Sequence, residues 1–568
     1  MKATEFILDA LRQEEIDHLF LVPGGLLDPF LTAFGTDAPV KPIVAAHEGG
    51  AAYMADGYGR AKGTFGVCMA IGGPGVANMV CPISAAFSDG MPMLVIGGEI
   101  ATDFEGRGSF QDASPAGMND LAFMSPVTAY ALQVPVAGAV PHHLHGAMRT
   151  MLGMEQRPVY LTLPTQVQEQ EITEPYRPVV RWLKEPPRIL DADAMAEVGE
   201  KLKGATNIAI LAGFGASRSQ ATSDLVALAE AMDIPVATTL RAKGVIPEDH
   251  PLSLGVFGYS GTRHATDALL GDDIDVLLVL GSSLNQRDTM VWNKKLEPRD
   301  CLIQVDLNTG IFDRNYPVDM SVVGDIREVL RWIAKEPSVM AALEASRADR
   351  RHWVDKILEA PRRYDAETRE SDAVPMHPAR VITEARKAMP RDTVALIDSG
   401  AHRAFAGHHW DCYGPGAYLS SNTLAPMGWA IPAGVGAQLA RPDAPCLVIT
   451  GDGCMGMHGM EIRSAAMYGV RTIFLVINNG ALGNVYLRAK DSESGRSLTQ
   501  IGVHDWAGLA RALGADGLTV SSPDELPAAF EAALAADGPF VIDARCDPEI
   551  TTPIAPWSEA KKDWIDDH

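Results

Sequence analysis

The sequence predicts an α/β protein of three αβα domains on mostly parallel sheets, and three observations lead there. Short β-branched runs that end in glycine turns alternate with Ala-rich helical stretches along nearly the whole chain. The 568 residues suffice for about three or four domains, and two charged, irregular stretches divide them into three blocks. Blocks one and three also share a local order of strand, glycine turn, helix and strand, in GVCMAIGGPGVANMVCPISAAFSDGMPMLVIGG and CLVITGDGCMGMHGMEIRSAAMYGVRTIFLVINNG.

Each element follows from its local pattern. KATEFILDALRQEEIDHLF carries charges within every turn, which makes the N-terminus an amphipathic helix and not a signal peptide. Within residues 1–165 examples of the strands are HLFLVPGG, FGVCMAIGGPG, MPMLVIGGE and RPVYLTLP. QVQEQEITEPYRPVVRWLKEPPRIL has no clean period and reads as a linker. Residues 190–335 form the central block, with strands NIAILAG, IPVATTL, DVLLVLG and CLIQVDL. From 336 to 375 acids and bases interleave densely (EASRADRRHWVDKILEAPRRYDAETRESD), so a solvated helix or connector at the surface is expected. Residues 376–550 repeat the pattern in TVALIDSG, APCLVITGDG, RTIFLVINNG and PFVIDARCD. Residues 551–568 are expected to be an irregular tail that folds back over a neighbouring surface.

Composition excludes several classes. Forty-eight basic against 72 acidic side chains leave a net charge of −24 with no long Lys/Arg cluster, which argues against phosphate neutralisation and so against nucleic acid. Seven scattered cysteines form no CxxC pair, so neither a disulfide framework nor a zinc site is expected and a reducing cytoplasm is the natural home. No uncharged apolar run reaches membrane-spanning length.

The strongest chemical signal is GDG at 451–453 with NN at 478–479. GDG follows the strand CLVIT and opens a helix, and NN ends the next strand. In a right-handed βαβ unit both land on the same carboxyl edge of the sheet. Glycines let the backbone approach a ligand closely, and a helix N-terminus favours an anion. An Asp carboxylate, an Asn amide oxygen and a nearby carbonyl make a hard oxygen site that suits Mg²⁺ held against a diphosphate. The rival reading is two ordinary turns, since DG and NG are common turn formers.

With these residues the chain resembles the thiamine-diphosphate (ThDP) enzymes of the acetolactate synthase and 2-oxo acid decarboxylase superfamily. Asp452 and Asn479, 27 residues apart, match that family's metal–diphosphate spacing. The resemblance implies that Asp452, Asn479 and the Ala481 carbonyl hold Mg²⁺, and that Gly400, Ala401 and His402 meet the diphosphate. It adds Gly451, Gly453, Cys454, Leu482 and Gly483 as further cofactor contacts, and Met427 as the wedge that bends the cofactor. Ala425 stands where the family often has glycine; only its carbonyl is required there, so the change is expected to be mild. HEGGAAYMADGYGRA resembles the family's segment around its acid, which makes Glu48 the residue that shares a proton with the aminopyrimidine, its neutral form favoured by burial among apolar residues. Pro74, Asn78 and Gln111 would lie near the pyrimidine. The fold implied is a ThDP-binding fold with pyrimidine-binding, central and diphosphate-binding domains.

The chain departs from acetolactate synthases in places. LPTQV puts Thr165 where they carry lysine, Glu155 replaces an arginine that meets FAD, and their GxRFDxRxTG has become GSSLNQRDTM. An acid would repel a flavin's phosphates, so the sequence argues against FAD. The lone GFG at 213–215 gives NAD little support, Asp306 reads as a strand-end acid, and His142, His143 and His145 read as structural. Asn484 lies where relatives carry methionine, so the pocket is expected to hydrogen-bond a polar substrate group; the rival reading makes Asn484 a helix cap. Glu48, Gln111 and Asn484 are thus the expected catalytic residues. The resemblance implies attack on a 2-oxo acid, loss of CO₂, and protonation of the acyl unit or its transfer to an acceptor. A lyase acting on a 2-hydroxyketone or 2-hydroxyacyl thioester without decarboxylation, and a non-catalytic regulatory relative, stay open. The implied assembly is a homodimer or homotetramer.

Overall fold

The computed structural model describes residues 1–35, 38–179 and 188–567. They form three sheets of six strands each, and every pairing between neighbouring strands is parallel. The first sheet comprises β1 (His18–Leu21), β2 (Lys41–Val44), β3 (Gly66–Ile71), β4 (Met93–Glu99), β5 (Tyr130–Gln133) and β6 (Pro158–Pro164). The second comprises β7 (Ile208–Ala212), β8 (Val236–Thr238), β9 (Ser253–Val256), β10 (Val276–Leu280), β11 (Cys301–Asp306) and β12 (Met320–Val323). The third comprises β13 (Val394–Ile397), β14 (Tyr418–Leu419), β15 (Cys446–Gly451), β16 (Ile473–Asn478), β17 (Asp516–Val520) and β18 (Phe540–Arg545). Helices on both faces bury the inner strands, which is why β4, β10 and β16 are continuous apolar runs without alternation.

The strand orders carry the relationship that the sequence only hints at. The first sheet runs β2-β1-β3-β4-β6-β5 and the third β14-β13-β15-β16-β18-β17, the same order in equivalent numbering. The second runs β12-β11-β10-β7-β8-β9, a doubly wound order with its reversal between β7 and β10. The first and third domains meet through equivalent helices, each lying between the second and third strands of its sheet: Glu48–Lys62 and Ala430–Ala440. Their backbones touch. A Cβ on Gly57 would stand 2.0 Å from the Ala433 carbonyl oxygen, and one on Gly436 would stand 1.9 Å from that of Met54. Beside this contact Trp429 Nε1 donates to Asp56 at 2.7 Å, and Arg60 bridges Asp56 and Asp89 at 2.9 Å each. Burial alone would raise the Asp89 carboxyl, yet Arg241 and Arg60 hold it below its ordinary range.

Two expectations need correcting. The charged stretch after 336 is not merely solvated: helices Pro337–Ala345 and Arg347–Leu358 pack Val339, Leu343, Trp353 and Val354 into the middle domain's core. Arg350 is fully buried because it hydrogen-bonds three carbonyls, those of Met232, Thr206 and Leu343 (2.7–2.9 Å). Helical structure was one of the two forms expected there; what charge density hid is the buried face. The C-terminal tail, expected to be irregular, is the helix Ala555–Asp567; it folds back so that Trp557 meets Tyr259 edge-on, with ring centroids 5.4 Å apart. Of the linker read at 166–190, residues 180–187 lie outside the described residues. All seven cysteines are free, and among the described residues no helix is long and apolar enough to cross a membrane.

Candidate active site

In a parallel sheet, ligands gather beyond the carboxyl ends of the strands where the winding reverses. In the third sheet that point lies between β13 and β15, and β16 adjoins it. Three helices begin there: Ala401–His409 after β13, Asp452–His458 directly after β15, and Gly483–Ala489 after β16. The helix expected after GDG starts on the motif itself, with Gly451 as its N-cap.

Asp452 is 3% exposed. Its Oδ1 accepts the Gly453 amide at 2.8 Å, and Oδ2 accepts those of Asn479 (3.1 Å) and Gly480 (2.6 Å), so the side chain ties the two loops together. Burial pushes its carboxyl up to about 6 against these amides, which favour the ionised form. The His402 ring fills the space that side chains on Gly400 and Gly451 would need: their Cβ atoms would lie 2.5 and 2.9 Å from it. Its buried Nε2 has no hydrogen-bond partner among the described residues, and burial lowers its pKa to about 3, so the ring is neutral. An orphaned polar nitrogen at a glycine cradle fits a phosphate oxygen.

Asp398, fully buried, braces the floor. It accepts the amides of Ser399 and Gly428 at 2.9 Å each and the Thr450 hydroxyl at 3.0 Å, and burial pushes it up to about 6. Ser399 in turn donates to the Ala425 carbonyl at 2.7 Å. Ala425 sits at φ +54°, so replacing glycine here is less mild than the carbonyl alone suggests; the left-handed backbone costs alanine about 1–2 kcal/mol. Met427 lies close to Gly453, its Cε 3.1 Å from the Cβ position there.

These groups line a cavity of about 260 Å³. All the third-domain residues singled out in the sequence but Asn478 lie in its wall, from Gly400, Ala401 and His402 to Gly483 and Asn484; Asn478 instead donates to His504 O at 2.9 Å and Asp543 Oδ1 at 2.8 Å. Asn484 is not the cap of its helix, because Leu482 occupies that position, and its side chain makes no hydrogen bond among the described residues. The middle domain adds Tyr259 and Arg287, which sequence reasoning missed. Arg287 Nη1 is buried and lacks a partner among the described residues, and its guanidinium lies 4.3 Å from the centroid of the Tyr259 ring. Its segment, GSSLNQRDTM, showed only a departure from relatives, and nothing local says that it reaches another domain's cavity.

Three matches to known families now bear on this geometry. Residues 1–118 match the family described as "Thiamine pyrophosphate enzyme, N-terminal TPP binding domain", 195–333 its central domain and 398–544 its C-terminal TPP binding domain. The chain belongs to the thiamine pyrophosphate enzyme family. A probable acetolactate synthase large subunit of Methanocaldococcus jannaschii is 30% identical, covering 98% of this chain and 94% of that protein. The acetolactate synthase large subunit of Corynebacterium glutamicum is 32% identical, covering 96% and 86%. This thiamine pyrophosphate enzyme (pyrophosphate and diphosphate name one cofactor) is therefore a ThDP-dependent carboligase or decarboxylase resembling acetolactate synthase.

The first domain of this ThDP enzyme holds its own set apart. Glu48 is the first residue of its helix, behind His47, whose Nδ1 accepts the Gly49 amide at 2.9 Å. Asn78 donates to Glu48 Oε2 at 2.9 Å. Pro74 opens the Pro74–Asp89 helix, and Gln111 sits at φ +57° beside Phe110, which is 85% exposed. Neither Glu48, Pro74, Asn78 nor Gln111 lines the cavity. The expected burial of Glu48 among apolar groups is incomplete here, for within one chain the residue is only half-buried.

Proposed function

We propose that this enzyme binds ThDP with Mg²⁺ and acts on a 2-oxo acid, releasing CO₂ and protonating the acyl unit or passing it to an acceptor. The observation that carries the reading is one cavity that combines the diphosphate loops with Arg287 and Asn484. Asp452, Asn479 and the Ala481 carbonyl form the all-oxygen set that Mg²⁺ prefers. His402 and the amides at Gly400 and Ala401 receive the diphosphate at a helix N-terminus. Met427 supports the ring system and the Ala425 carbonyl takes the pyrimidine amino group, while Glu48 holds a proton at the pyrimidine nitrogen. When bound, the cofactor supplies the carbon nucleophile and the electron sink. Arg287 pairs with the substrate carboxylate, and its unpartnered Nη1 supports that role. Asn484 hydrogen-bonds a further polar group near the reacting carbon.

Flavin has no part in this reading. At the β7–β10 reversal the Gly213 amide donates to Leu280 O (2.8 Å) and that of Gly215 to Gly281 O (2.9 Å), so neither is left for a phosphate. A Cβ on Gly213 would stand 2.3 Å from Gly281 O, which shows how closely the turn packs on β10. Because the first-domain set lies off the cavity, we read the site as completed by the first domain of a partner, in a two-fold dimer at least. Exposed Phe110, Met457, Met460 and Met467 support such a contact. Free, mostly buried cysteines suit a cytoplasmic home.

The test is a ThDP-supplemented screen of 2-oxo acids and acyloins, read for CO₂ and for aldehyde or ligated ketone. One CO₂ per turnover is expected. Cleavage of an acyloin without CO₂ would replace this reading with the lyase, and ThDP binding without any turnover would replace it with the regulatory relative.

A further inference from the structure

Two carboxyl groups of the first domain have no part in the chemistry above. Glu99 closes β4 and is fully buried; Asp120 opens the Asp120–Met124 helix and is 1% exposed. Glu99 Oε1 accepts the amides of Ile100 at 2.8 Å and Ala113 at 3.3 Å, while Oε2 has no hydrogen-bond partner among the described residues. Asp120 accepts the Gly73 amide at 3.1 and 3.3 Å and the hydroxyl of buried Tyr160 at 3.4 Å. Glu99 Oε2 lies against Gly72, where a Cβ would stand 3.2 Å from it and 2.9 Å from Gly98 O.

The two acids therefore grip the two segments that carry the first-domain set. Gly73, at φ +73°, immediately precedes Pro74 and the helix bearing Asn78. Ala113 follows Gln111 by two residues, and Gln111 is held in the left-handed region, where a non-glycine residue persists only when its surroundings over-determine it. We propose that Glu99 and Asp120 form a proton-holding acid pair that positions this half of the cofactor site, setting Gln111 through Ala113, and Pro74 with Asn78 through Gly73. The proposal rests on the reading of those three residues as cofactor contacts.

The remaining titratable groups that face the pair are Asp112 from the loop and Tyr160 from β6, neither of them a cation. Burial pushes each carboxyl up to about 7, and Asp120 adds to the rise at Glu99. The two buried carboxyl groups sit against the consecutive residues Gly72 and Gly73 and do not both ionise readily, so at least one proton stays, and Oε2, which receives no donor, is its natural seat. The sign of the linkage follows: the folded values lie above the ordinary carboxylate range. The pair's stabilisation is thus complete below about pH 4 and is lost as the pH rises toward 7.

The test compares Glu99→Gln with Glu99→Ala in the full chain. A glutamine mimics a neutral acid, with an acceptor on one side and an N–H donor on the other. Glu99→Gln should keep ThDP affinity and kcat within about twofold of wild type, whereas Glu99→Ala should weaken ThDP about tenfold, as loss of a supporting partner does. Infrared spectra at pH 6 should show the carbonyl stretch of a protonated carboxyl group in the wild type, diminished in Glu99→Gln; this arm decides even if the alanine variant does not fold. A glutamine variant as impaired as the alanine one, an alanine variant with altered melting temperature but unchanged ThDP affinity, or no protonated-carboxyl band would each overturn the proposal. Wild-type protein that binds no ThDP would instead overturn the cofactor reading, and the proposal with it.

Discussion

Among the described residues the Glu48 side chain has one hydrogen-bond partner, the Asn78 amide, and that fixes what a substitution can do. Glu48→Gln keeps the size and the contact while removing the acid. The fold and the ThDP-dependent rise in melting temperature should persist, while kcat falls about a hundredfold to ten-thousandfold. Steady-state kinetics beside a thermal-shift titration check both halves; near-normal kcat would remove Glu48 from the chemistry. Asn484 invites a different experiment. Because it is not the helix cap and its side chain lines the cavity without a hydrogen bond among the described residues, Asn484→Met should leave stability within about 0.5 kcal/mol. The same change should shift kcat/KM toward pyruvate and 2-oxobutyrate by about tenfold or more. An unchanged ranking of 2-oxo acids would deny it the specificity role. Asn484 was legible in the sequence because its place is set by counting from NN along one helix start. Arg287 was not: its importance comes from a neighbouring domain's cavity, to which no local pattern points.

At the level of elements, what could be read from the chain divides along a physical line. The four inner strands of every sheet were legible, and both edge strands of every sheet were not: β2 and β5, β9 and β12, β14 and β17. Inner parallel strands are covered on both faces and write themselves as unbroken apolar runs. Edge strands are short or half-exposed; β14 has two residues, β5 is only partly buried along its length, and β17 exposes three of five. The burial of the helices at 337–358 escaped for a related reason, because a buried arginine satisfied by carbonyls looks like any surface arginine in sequence. The glycine contact between the first and third domains yields a prediction of its own. Gly57→Ala must force helix Glu48–Lys62 away from Ala433, since the clash is with backbone that cannot rotate aside. A loss of about 1–3 kcal/mol or more is expected, read as an earlier denaturant midpoint, although helix propensity alone would favour alanine over glycine. An unchanged or later midpoint would mean that the helices have room, because alanine is the better helix former.

For the whole molecule, the decisive fact is that Glu48 and Asp452 serve different domains and do not line one cavity within a chain. If a partner completes the site, Glu48→Gln and Asp452→Ala are each nearly inactive alone, yet a hybrid dimer holds one intact site. Mixing after verified subunit exchange should restore roughly a quarter of wild-type activity for random assortment. Activity that stays at the level of the parents would place both residues in one chain's site.

The reciprocal contacts of Gly57 with Ala433 and of Gly436 with Met54 also say something about symmetry. Each half presents to the other the patch that the other presents to it, the isologous arrangement ordinarily found between identical subunits. One chain is in that sense already a pseudo-dimer, with the middle domain inserted as a tether between its halves. A true two-fold axis that pairs unlike halves of two such chains must do so twice. If the proposed dimer has such an axis, its cavities come in equivalent pairs, and the cofactor content of that assembly is expected to be even and to equal the number of chains.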